Sequence, residues 1–168
     1  MLGLKAVDLQ KQKIDTLIVP VCEDKEIHDD RIIKGVIKKA MQLKEFKAEK
    51  GDQITLYDFK GLATERIICV GLGKSKKIDH EALRAFCGAI VNKSMQAGFE
   101  KIWFAVPAAE KLKLEMPDVV EAMMEGACLG NHVFGKYKNE KKKKPLKQIN
   151  FRIQPKASGN LRNIAPKV

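Results

Sequence analysis

Gly71-Leu72-Gly73-Lys74-Ser75 sets two glycines, a lysine and a hydroxyl just after an apolar run. That is the composition of a loop able to cradle a phosphate on backbone N–H groups ahead of a helix. The dinucleotide fingerprint needs a third glycine at position 76, where this chain has Lys76, and the P-loop needs one at 68, where it has Ile68. Both motifs fail, so the segment reads as a tight strand-to-helix turn.

The other chemically capable groups are sparser. Cys128 and His132 stand four apart on an expected helix and could share a face toward a metal. No second pair of ligands has matching spacing, and the plainer reading is a buried thiol beside a surface imidazole. His28 and His80 stand alone. Nucleophilic catalysis needs a base held beside a Ser or Cys, and the chain has neither G-x-S-x-G nor a convincing Cys/His pair. Its carboxylates fall at helix caps and surfaces. Trp103 lies in an expected strand and reads as core. No catalytic, cofactor-binding or metal-ligating residue is therefore assigned.

Lys136, Lys138, Lys141 to Lys144 and Lys147 form a basic segment interrupted by Glu140, within a net charge of +11. Such a run can bind a nucleic-acid backbone, although most are solvated surface. Charge this uneven also suits a fragment separated from an acidic remainder. With 168 residues the chain is one domain by size. No apolar run is long enough to cross a bilayer and no secretory h-region opens it. Cys22, Cys69, Cys87 and Cys128 are far apart in apolar segments, which suits reduced thiols and a cytoplasmic location.

The elements that must position these residues alternate along the chain. Leu4 to Leu9 suggests an edge strand, and Ile14 to Val21 a more buried one that should end or meet an edge at Pro20. Asp29 and Asp30 offer caps for a helix whose pairs Ile32/Ile33, Val36/Ile37 and Ala40/Met41 repeat every four residues; Gly35 within it suggests close packing. Glu49 to Asp52 is a turn. Gln53 to Phe59 is a half-buried strand with Ile54 and Leu56 inward, and Ile67 to Val70 is a central strand that stops at Gly71.

Asp79 caps the next helix, with Ile78 and Leu83 as a hydrophobic staple, Leu83, Phe86, Ile90 and Ala97 on one face and Gly98 at its end. Lys101 to Val106 is a buried strand stopped by Pro107. Asp118 and Glu121, at capping-box spacing, open a long helix through Val119, Val120, Met123 and Ala127 to Val133 or Phe134. Leu146 to Ile153 is the last strand, with Ile149, Phe151 and Ile153 inward and Gln148, Asn150 and Arg152 outward. Right-handed crossovers then give an α/β three-layer sandwich, a mixed, mainly parallel sheet with helices on both faces.

Two stretches carry a resemblance. Glu65-Arg66-Ile67-Ile68-Cys69-Val70-Gly71-Leu72-Gly73-Lys74 resembles the E-R-strand-G-L-G-K segment of the leucyl (cytosol) aminopeptidase family. Glu125-Gly126-Ala127-Cys128-Leu129-Gly130, followed by Phe134 and Tyr137-Lys138, is similar to that family's E-G-x-x-L-G…F…Y-K helix. Each is weakly specific alone; in this order and separation they are strong together, and the likeness spans essentially Met1 to Ile153. His132 departs from the aromatic residue usual there.

The resemblance implies a macro-domain-like N-terminal domain over residues 1–155, with 156–168 as a linker toward a C-terminal catalytic domain. That domain would hold two divalent metal ions, Mn or Zn, and its N-T-D-A-E-G-R-L signature occurs nowhere in these residues. The chain alone is then expected to be inactive. The parent would remove N-terminal residues from peptides and assemble as a hexamer, with this domain aiding assembly and active-site access. The alternative is a stand-alone macro-like module that binds a ligand such as ADP-ribose, or DNA.

Overall fold

The computed structural model describes residues 1–132 and 144–155. Among them, six strands form one sheet: β1 (Leu2–Ala6), β2 (Ile14–Cys22), β3 (Gln53–Tyr57), β4 (Thr64–Gly73), β5 (Lys101–Ala105) and β6 (Gln148–Ile153). Their spatial order is β1-β6-β5-β2-β4-β3. Only β3 runs antiparallel to its neighbour. The helices are α1 (Arg31–Met41), α2 (His80–Gln96) and α3 (Met116–Gly130).

Side chains alternate across each strand, so an apolar run in the middle of the sheet feeds two cores at once. Leu17, Val19, Ile67, Cys69 and Trp103 face α1, which contributes Ile33, Val36, Ile37 and Ala40. Ile18, Ile68, Phe104 and Phe151 face α2 and α3. The three-layer α/β sandwich expected from the sequence is the fold observed, and Trp103 is core.

Local signals set the helix ends. The Asp30 carboxylate accepts from the N–H groups of Ile32 at 2.8 Å and Ile33 at 3.4 Å, and Asp79 accepts from Ala82 N–H at 2.8 Å. At the end of α2, Gly98 takes a φ of +81° while its N–H and that of Phe99 donate to Met95 and Ser94 carbonyls. This is the Schellman closure that glycine makes inexpensive.

Other expectations are corrected. The edge strand is Leu2–Ala6 and not Leu4 to Leu9. β2 does not end at Pro20 but continues to Cys22 against β4; the other alternative, an edge at Pro20, holds, because the pairing with β5 stops at Ile18 and leaves an unpaired flank. Gly35 is exposed with nothing near a prospective Cβ, and Ala97 and Met41 are exposed too. α3 begins at Met116 after an N-cap Glu115 that makes no side-chain cap bond, with Pro117 in the first turn. Asp118 thus lies inside the helix and not at its cap. In β6, Asn150 and Arg152 are buried although read as outward. The strand lies between β1 and β5, and its second face is covered as well. Val133, Phe134, Tyr137, Lys138, most of the basic segment and residues 156–168 fall outside the described residues.

Candidate functional site

β4 runs through Gly71 to Gly73, so the glycines belong to the strand and not to a turn after it. The reason is a crossing of backbone. A Cβ on Gly71 would stand 2.2 Å from the Glu49 carbonyl oxygen and 2.5 Å from the Ala48 carbonyl carbon. The loop that precedes β3 is laid directly on the strand. Gly71 N–H donates to Asp52 O at 2.8 Å, Gly73 N–H to Ala48 O at 3.0 Å, and Glu23 N–H to Gly73 O at 2.9 Å.

The position a phosphate would occupy is taken by the chain's own acids. Ser75 N–H and Oγ donate to the two oxygens of Asp24 at 2.9 and 3.1 Å, and Lys74 Nζ lies 3.1 Å from Glu23. The Ser75 N–H holds the Asp24 carboxyl below its ordinary range. With these donors committed internally, the segment acts as a joint between β4 and the short 3-10 turn Ser75–Lys77.

The second stretch is also a joint. A Cβ on Gly126 would meet Arg84 O of α2 at 2.2 Å, and one on Gly130 would meet Gly88 O at 2.7 Å. These glycines let α3 lie backbone-close against α2. Beside them Glu125 accepts from Arg84 Nε at 2.7 Å, and Arg84 also reaches Glu81 at 3.3 Å.

Charge is concentrated at the carboxyl ends of β2, β5 and β6, the usual ligand crevice of an open α/β sheet. There Asp30 uses one oxygen to cap α1 and the other to accept from Arg152 Nη1, while Arg152 Nε donates to Val7 O at 3.0 Å. His28 is buried beside them, 2.7 Å from the Pro20 carbonyl through Nε2. A carbonyl only accepts, so Nε2 carries the proton. Burial lowers the His28 pKa to about 4, which keeps the ring neutral near pH 7. A cavity of about 140 Å³ opens here, bordered by Asp29, Glu110 and Gln154 as well as the buried trio.

Sequence reasoning missed this grouping. Asp30 was legible as a cap, but nothing local signals its pairing with Arg152 from a strand 122 residues away. The site holds charge firmly, and among the described residues the buried thiols are not activated. Burial, with help from Asp24 and Glu23, lifts the Cys22 thiol to about 12; burial alone lifts Cys69 to about 12 and Cys87 well above its usual value. Cys128 is exposed and not buried as read, and His132 is exposed at the end of the described segment. Among the described residues, no three His, Cys, Asp or Glu side chains gather as a metal site.

Fold and sites together define an α/β domain whose signature residues serve joints and packing. A family model described as the N-terminal domain of the cytosol aminopeptidase family matches residues 18–141. The chain belongs to that family, through its N-terminal domain. It is 29% identical over 128 residues to a probable cytosol aminopeptidase of Clostridium perfringens, covering 76% of this chain and 26% of that protein. A probable cytosol aminopeptidase of Aquifex aeolicus is 28% identical over 137 residues, covering 80% and 27%. The chain thus spans about a quarter of the length of these curated relatives. The fold is also that of a tomato leucine aminopeptidase mutant, at a TM-score of 0.65 and 19% identity over 90% of this chain and 32% of that one. The bottromycin maturation enzyme BotP matches at 0.58 and 16%, over 85% and 28%.

Proposed function

We propose that this chain is the non-catalytic N-terminal domain of a metal-dependent leucyl aminopeptidase, serving the parent's assembly and access to its active sites. The observation that carries this reading is a family match confined to an N-terminal domain model, in a chain spanning about a quarter of its curated relatives. On this reading peptide hydrolysis, two divalent ions (Mn or Zn) and the hexamer depend on a following C-terminal catalytic domain. Residues 1–155 are the domain and 156–168 the linker to it. The proposed location is the cytoplasm. Two features support that: the relatives are named cytosol aminopeptidases, and no helix among the described residues is long and apolar enough to cross a membrane.

The test is to read the coding sequence past Val168. Continuation into a large domain with an N-T-D-A-E-G-R-L stretch supports the proposal. A stop codon there overturns it and makes ADP-ribose and DNA binding the questions to pursue.

A further inference from the structure

On the sheet face opposite α1, the β3–β4 half is only partly roofed. Strand register sets its side chains in rows, Tyr57 with Arg66 and Thr16, then Thr55 with Ile68 and Ile18. The C-terminal half of α2 flanks them with Ile90, Lys93 and Ser94, and Phe99 closes one end. The result is a groove of about 240 Å³. Its floor mixes Ile18 and Ile68 with Thr55, Tyr57 and Gln53, its charged groups are Arg66 and Lys93, and no carboxylate lines it.

Arg66 is already held in place. Nη1 donates to Thr16 Oγ1 at 2.9 Å, and the guanidinium carbon stands 4.5 Å from the Phe99 ring centroid. Neither contact neutralises it, and among the described residues no carboxylate pairs with it. A guanidinium is a planar fork of donors that fits a carboxylate with two parallel bonds. Fixing it beforehand lowers the entropy lost on binding.

We propose that this groove binds a monocarboxylate with a short apolar body and no cationic group. The carboxylate sits on the Arg66 fork with Lys93 beside it, and the body lies over the row of Ile18 and Ile68 against the exposed Tyr57 ring and Phe99. At about 30 Å³ per water the volume corresponds to about eight waters, which suits a ligand of roughly that many heavy atoms or slightly more. An amine or a free amino acid would bring a like charge toward two cations with no acid to receive it. The groove opens near the amino-terminal ends of β2 and β4, whereas β6 runs out at Gln154 beside the other cavity. A segment continuing from β6 starts at the opposite end of the sheet, which favours a small ligand here over the chain's own continuation.

The test is an amide NMR titration of the full 168-residue chain with 3-phenylpropanoate, its amide and the matching amine. The acid should give saturable shifts at Thr55, Arg66 and Ser94; the amide should bind about tenfold more weakly and the amine should not bind. Lys93 is exposed, so Lys93→Gln should keep the fold and weaken the acid about threefold, with Arg66→Lys weakening it about tenfold. Equal affinity for acid and amide, or no saturable shift by ~10 mM, overturns the proposal. So do shifts that track protein concentration alongside a dimer in light scattering, which would assign the groove to a second copy.

Discussion

Asp30 and Arg152 form a buried ion pair that ties the N-cap of α1 to the carboxyl end of strand β6. The carboxylate serves two masters, the helix N-terminus and the guanidinium, and both side chains are nearly sealed from water. A buried pair adds little over a well-packed apolar pair, but removing one partner strands a charge. Asp30→Ala should therefore cost about 3–5 kcal/mol, cap included. Urea denaturation measures it; a loss below ~1 kcal/mol would mean water reaches the pair.

His28 gives the domain a pH dependence. Its folded pKa of about 4 lies below the ordinary 6.5, so the unfolded chain binds the extra proton first. The contribution is complete above pH 6.5 and lost as pH falls toward 4, about 3 kcal/mol across the window. His28→Gln can still donate to Pro20 O but cannot titrate. Its stability should fall less steeply than that of the unsubstituted chain between those limits; parallel curves would contradict the burial of His28 as the cause.

The glycines divide into opposite cases. Gly35 is exposed in mid-helix with open space at its Cβ position, so Gly35→Ala should stabilise by about 1 kcal/mol. Gly71→Ala would drive a methyl into the Glu49 carbonyl and should destabilise by about 3 kcal/mol or more. Thermal or urea melts of the two variants should move in opposite directions, and a shared direction would refute the contrast.

These glycines also show what could be read in advance. Apolar runs at Ile14 to Val21, Ile67 to Val70 and Lys101 to Val106 disclosed the inner strands, and Asp30, Asp79 and Gly98 disclosed helix ends, because those signals are local. Gly71 misled because a glycine that admits a crossing loop looks, in one dimension, like one that makes a turn. Arg152 and Asn150 misled because an internal parallel strand is covered on both sides, and alternation then no longer separates core from solvent. The charged cluster around Asp30 depends on β6 lying beside β5, a tertiary fact with no local sign.

Thiol reactivity should split one against three. Cys128 is exposed, whereas Cys22, Cys69 and Cys87 are buried with raised pKa values. A disulfide reagent at pH 8 should titrate one thiol per native chain quickly and the rest only on unfolding. Rapid titration of all four would contradict the packing of α2 and the sheet.

On the proposed function, peptidase chemistry depends on the following domain and not on these 168 residues, which one assay can check. The purified chain is incubated with leucine amide and Mn or Zn, and free leucine is measured against a metal-only control. The expected result is release no greater than the control. Catalytic, chelator-sensitive release that scales with the amount of chain would contradict it.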